Sequence, residues 1–273
     1  MSKTPLSKLG YGCYALGGAY GGKVDPAQAV KLIRLAYALG IRFFDTADLY
    51  GTEEVLGKAV RPFRSQVALA TKVGVTPGGQ ACLQRKHILA ACEASLQRLQ
   101  TDYIDLYQVH YHDPHTPVAE VVDTLEDLKS QGKIRSYGVG HLPLDITRQY
   151  LELGQPQTVL AEMNVAVLDR YLELHPLQQK YDFGLIAFSV TGRGLLTGSL
   201  PSAPQFENTD IRSLDPLFQR EKLASGLRLA EKLTEAGRKI MATPAQVAIA
   251  WVLNQPGVVA ALTGPTDPNH LRE

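Results

Sequence analysis

VALATK, residues 67–72, is apolar for four residues and then closes on threonine and lysine. Lysine is rarely buried without a partner, so a strand that delivers one at its C-terminal end needs a reason. Nearby stretches repeat the pattern. IRFFDT (41–46) reads as a strand edge carrying Asp45, with Tyr50 just beyond it, and YIDLYQVH (103–110) is strand-like and ends in His110.

Helical segments fill the intervals. Asp25-Pro26 pairs a capping residue with the proline favoured at the first helical position, and this helix should stop at Gly40. Ile88, Ala91, Cys92, Ser95 and Leu99 share one face of 84–99, and Val118, Val121, Val122, Leu125 and Leu128 share one face of a helix ending at Gly132. The last long helical stretch divides near 237–243, where Thr243-Pro244-Ala245-Gln246 carries a capping-box pattern. Further strands are expected at 133–139, 158–162, 184–189 and 257–262, with a first near 10–15, which makes about eight.

Strands apolar on both sides that alternate with helices imply a parallel sheet. Doubly wound and barrel folds both satisfy that. Polar residues at the C-terminal ends of many strands, rather than at one crevice, favour an α/β fold of the (β/α)8 TIM-barrel kind, one domain over 1–273. The stretch 199–216, rich in Ser, Pro, Asn and Asp, reads as a long loop above the barrel and not as a domain boundary.

Composition narrows the function. Lys plus Arg (28) nearly balances Asp plus Glu (27), so no long-range field is available to recruit nucleic acid or an anionic membrane. Cys13, Cys82 and Cys92 form no CxxC pair, which argues against a disulfide framework or structural zinc and for a reducing compartment. Met1 to Leu9 has no apolar signal core, and no run reaches the roughly 18 apolar residues of a membrane span. A cytoplasmic location is the expectation.

Taken singly, Asp45 could cap a loop, Tyr50 could be packing and His110 could be a satisfied histidine. Four coincident strand-end placements with Lys72 suggest more. A phenol has a pKa of about 10, and an adjacent ammonium should lower it, while a carboxylate beyond keeps the lysine charged and oriented. An imidazole on the neighbouring strand can donate to a carbonyl oxygen. That set is a proton relay aimed at a developing alkoxide. No side chain supplies a hydride, so a cofactor is implied.

These residues lie in motifs that resemble the aldo-keto reductase family. FDTADLYGTEEVLGKAV (44–60), ALATKVG (68–74) and TDYIDLYQVHYHDP (101–114) look like its three signature regions, and the likeness runs from about Leu9 to the last residue. By position, Asp45, Tyr50, Lys72 and His110 match its catalytic tetrad. The resemblance implies interconversion of an aldehyde or ketone and its alcohol with NADPH or NADH, Tyr50 acting as general acid/base. FSVTGRGLLTG (188–198) resembles the family's loop after strand seven. It implies that Phe188 stacks on nicotinamide, that Ser189, Thr191, Gly194, Leu195 and Thr197 line the pyrophosphate, and that Arg193 offsets its charge.

Several positions depart from the family pattern. Gly140 and His141 replace a usual Ser-Asn pair, and Glu162 replaces a usual glutamine that grips the carboxamide. A carboxylate accepts from the carboxamide NH2 but cannot donate to its carbonyl; His141 is a candidate for the missing donor. In TGPTDPNHLRE (263–273), Gly264 and His270 stand where basic contacts to the 2′-phosphate are expected, with Thr266 between them. Weak discrimination against NADH, or preference for it, is the expectation. The chain stops before the family's usual asparagine and substrate-covering loop, implying a truncated tail or a site open on one side. Substrate contacts are expected from Tyr20, Tyr111 and the 199–216 loop.

Three rivals use other residues. A metal-dependent hydrolase could draw on His110, His112, Asp113, His115, His141, Glu162 and Asp267, but leaves Asp45, Tyr50 and Lys72 unexplained. A Schiff-base aldolase would use Lys72 as nucleophile. A cofactor-binding regulatory member of the same fold, with little turnover, would account for the altered carboxamide contacts.

Overall fold

Alternation along each strand decides what the centre of the molecule contains. The computed structural model describes residues 6–76, 78–140 and 142–273. Eight parallel strands pair in chain order and close on themselves: β1 (Leu9–Gly12), β2 (Phe43–Asp45), β3 (Ala68–Val73), β4 (Ile104–Val109), β5 (Ile134–Gly140), β6 (Thr158–Glu162), β7 (Gly184–Phe188) and β8 (Val258–Thr263). Tyr11 beside Thr263 in the β1–β8 register completes the ring.

Inside the barrel, Phe43, Ala68, Ala70, Leu106, Leu160, Ile186, Ala260 and Leu262 form one apolar cluster. Two residues beyond Phe43, Ala70 and Leu106 stand Asp45, Lys72 and Gln108, all buried. Period-two alternation therefore carries the interior from an apolar floor to a polar upper layer at the strands' C-terminal ends. The opposite faces, with Phe44, Leu69, Tyr107 and Val139, pack on the helices as the larger core.

The helices start where the caps predict. Asp25 accepts from the amides of Ala27 and Gln28 to begin α1 (Pro26–Ala38), and Gly40 takes the left-handed φ of 101° that ends its turn. α3 (Arg85–Leu99) and α4 (Val118–Ser130) bury the expected faces except for Ala91, which is half-buried. α7 (Arg220–Ile240) and α8 (Pro244–Leu253) are separate, and Thr243 and Gln246 exchange both bonds of a capping box. α2 (Glu53–Val60), α5 (Leu144–Leu153), α6 (Asp169–Leu174) and α9 (Pro268–Arg272) complete the set used below. No helix among the described residues is long and apolar enough to cross a membrane.

Two expectations need adjusting. The first strand ends at Gly12, because 13–17 turn into a 3-10 helix. The 199–216 loop is also not featureless. It contains a 3-10 turn at Ile211–Ser213, pairs Asp210 with Tyr20 and donates from the Ile211 amide to the Ala19 carbonyl. The loop is thereby fastened to the segment after β1, across the barrel mouth.

Candidate active site

The C-terminal ends of several strands open on one cleft of about 230 Å³, lined by Tyr14, Tyr20, Asp45, Tyr50, His110 and Tyr111 together with Phe188, Ser189, Arg193 and Gly264. A larger hollow of about 560 Å³ adjoins it beyond Tyr20, under the 200–212 segment, and contains none of the tetrad.

Lys72 Nζ donates to Asp45 Oδ1 at 2.5 Å and to the Thr46 carbonyl at 2.6 Å. Gln108 Nε2 donates to Asp45 Oδ2 at 3.0 Å. Burial pushes the Asp45 carboxyl above its ordinary value, opposed by Lys72 and Gln108. Gln108 is register partner of Lys72 on β4, and its Oε1 is buried with no hydrogen-bond partner. The sequence reading passed over Gln108, although its place two residues before His110, on the same strand face, was the available signal.

Tyr50 sits on a 3-10 turn, Asp48–Tyr50, whose ends are fixed from behind. Thr46 and Thr52 hydroxyls meet at 2.7 Å, and buried Glu53 accepts from Thr71 Oγ1 and Arg98 Nε, both at 2.6 Å. The Tyr50 ring lies 5.7 Å from the His110 ring, edge to face, and 4.7 Å from Tyr14. Lys72 Nζ stands 4.8 Å from the centre of the Tyr50 ring. Tyr14 is the second residue the sequence reading missed, since it belongs to no motif.

One expectation is overturned. The Tyr50 phenol is pushed well above its ordinary value, first by burial, then by the Asp45 carboxylate and the neighbouring tyrosines. Two of the three N–H donors of Lys72 go to Asp45 and Thr46. The relay therefore rests with the proton on Tyr50.

The segment after β7 carries the residues expected at the nucleotide. Ser189 adopts a left-handed φ of 59°, and its hydroxyl is buried without a hydrogen-bond partner. That hydroxyl is available to a polar group of a bound nucleotide. Leu195 turns inward to pack with Leu217 and Phe218, and Thr197 bonds the Gly194 carbonyl; any contact from Leu195 comes from its backbone. The Thr191 carbonyl accepts from the amides of Gly194 and Leu196, tightening the same loop. Arg193 lines the cleft, but its guanidinium pairs with Glu162 at 2.7 Å and Asp215 at 2.8 Å rather than standing free for phosphate.

Close approaches account for two departures. A Cβ at Gly264 would lie 2.2 Å from the Gly12 carbonyl oxygen, so no basic side chain fits there while β1 keeps its position. A Cβ at Gly140 would lie 2.8 Å from Leu160 Cβ. Thr266 and His270 are exposed, and Arg272 turns Nη1 back to the Pro268 carbonyl. His141 lies outside the described residues. For the metal rival, Asp113 is spent on the Leu83 and His115 amides and the Thr116 hydroxyl. Among the described residues, no three His, Cys, Asp or Glu side chains converge.

A family model described as the aldo/keto reductase family matches residues 8–273. "Aldo-keto reductase YhdN" of Bacillus subtilis (strain 168) is 33% identical over 97% of this chain and 83% of its own length. The "NADH-specific methylglyoxal reductase" of Escherichia coli (strain K12) is 32% identical over 98% of this chain and 88% of its own. Among solved structures, the glycerol dehydrogenase AKR11B4 from Gluconobacter oxydans superposes with a TM-score of 0.90 at 30% identity, covering 99% of this chain and 86% of that one.

Proposed function

The chain belongs to the aldo/keto reductase family, whose oxidoreductase chemistry is NAD(P)H-dependent carbonyl reduction, and from that premise we propose that Tyr50 is its proton donor. The observation that carries this reading is that Tyr50 and His110 line a single cleft together with Phe188 and Ser189.

A bound dihydronicotinamide supplies the hydride; every other requirement falls to side chains of this chain. Phe188 and Ser189 are the residues to hold it. His110 orients the substrate oxygen, and Tyr50, protonated at rest, gives it a proton. The phenolate left behind is stabilised by Lys72. Its ammonium has three N–H donors, of which Asp45 and Thr46 take two. Asp45 and Gln108 hold that ammonium in place. In alcohol oxidation the same groups run in reverse. Tyr14, Tyr20 and Tyr111 frame the substrate's side of the cleft.

Tyr50→Phe removes the proton donor and keeps the ring. Turnover of a carbonyl panel, followed at 340 nm, should fall at least about a hundredfold, while cofactor affinity by calorimetry stays within about twofold. Retained turnover would refute the assignment.

A further inference from the structure

Beside the cleft lies a charge cluster that the proton relay does not use, and its guanidinium, Arg193, lines the cleft itself. Arg193 stands between two carboxylates, with Nη1 contacting both Glu162 Oε1 and Asp215 Oδ2. All three side chains are at most 30% exposed. Two carboxylates around one guanidinium leave one net negative charge. Two other charged pairs at this mouth cancel: Lys72 with Asp45, and Arg212 with Asp210 at 2.6 Å. Glu162 is also register partner of Phe188, which lines the cleft.

We propose that the Glu162–Arg193–Asp215 cluster makes this site selective for the oxidised over the reduced nicotinamide. This rests on reading the cleft as a nicotinamide site. Hydride reaches a carbonyl carbon only if the ring shares the cleft with Tyr50 and His110. Oxidised and reduced nucleotides carry identical phosphates and differ by one positive charge on that ring. A fixed negative charge nearby therefore acts on the difference between them, whatever holds the phosphates. Partial burial keeps the interaction from being screened away as it would be on an open surface. An arginine serving only as a phosphate clamp would shift both forms equally.

The test is calorimetric titration of wild type and variants with NAD+, NADH, NADP+ and NADPH. The readout is the ratio of the reduced to the oxidised dissociation constant. Glu162→Gln removes one negative charge and should lower that ratio about three- to tenfold. Glu162→Asp should hold it within about twofold. Asp215→Asn, which removes the same charge from the loop side, should lower it too, and stands in if Glu162→Gln misfolds. Arg193→Met should raise it. All of these shifts should shrink in high salt. Equal weakening of both redox forms in Glu162→Gln and Asp215→Asn would overturn the inference and leave the site reading intact. Failure of wild type to bind any of the four nucleotides would overturn both.

Discussion

Lys72→Met keeps the apolar stem of a side chain that is 1% exposed and deletes its charge. Asp45, 5% exposed at its side chain, would then keep Gln108 Nε2 and lose the ammonium. Breaking a buried pair from one side costs about 3–5 kcal/mol, a large part of the roughly 5–15 kcal/mol that holds a domain together. The cost should depend on pH with a definite sign. Burial already raises the Asp45 carboxyl, and removing Lys72 raises it further. Between the unfolded value, about 3.9, and that higher folded value, the native state binds the extra proton, so stability falls as pH climbs through the interval. Each pH unit crossed is worth about 1.4 kcal/mol. Urea melts at pH 4.5 and pH 7.5 therefore should show a modest deficit against wild type at the lower pH and the full deficit at the higher. Asp45→Asn combined with Lys72→Met should recover most of it at pH 7.5. An equal deficit at both pH values, or a double variant no more stable than the single, would show that the pair does not carry its charge in the folded protein.

Asp48, half-buried on the same 3-10 turn as Tyr50, has a carboxyl raised to about 6 by burial and then by Glu53, and its Oδ1 has no partner. Its folded pKa exceeds its unfolded one, so the native state loses stability as pH rises through about 6. Asp48→Asn, discounted for partial exposure, should gain about 1–2 kcal/mol at pH 7.5 and little at pH 4, as read from paired denaturant melts; an equal gain at both would contradict the assignment. Gly264→Ala should cost about 1–3 kcal/mol because its Cβ meets the Gly12 carbonyl, whereas Gly22→Ala, with nothing within 4 Å, should change stability by less than about 0.5 kcal/mol. On the cofactor, the missing cation at Gly264 leads us to expect NADH to serve at least as well as NADPH in initial-rate assays; an exclusive NADPH requirement would remove that argument.

The order of strands and helices was legible because each rests on local chemistry. Asp25-Pro26, Thr243 with Gln246, and the spaced apolar faces of α3 and α4 act over a few residues, so the chain announces them without its partners. The same is true of Asp45, Lys72 and His110: they end apolar strands, and in a parallel barrel strand ends meet. What the sequence could not contain was which charge answers which. Arg193 pairs with Glu162 and Asp215 across separations of 31 and 22 residues, a choice made by the β6–β7 register and by the fastening of the 199–216 loop to Ala19 and Tyr20. Gln108 becomes part of the relay only because β4 lies beside β3, and Gly264 is constrained only by the passage of β1 behind it. The state of Tyr50 also depends on the packed surroundings. A neighbouring lysine suggests an acidic phenol, but burial and the Asp45 carboxylate, which engages that lysine, keep the proton on oxygen. Local preference acts through bonds and neighbours in the chain, whereas desolvation and long-range charge exist only after the chain has closed around them.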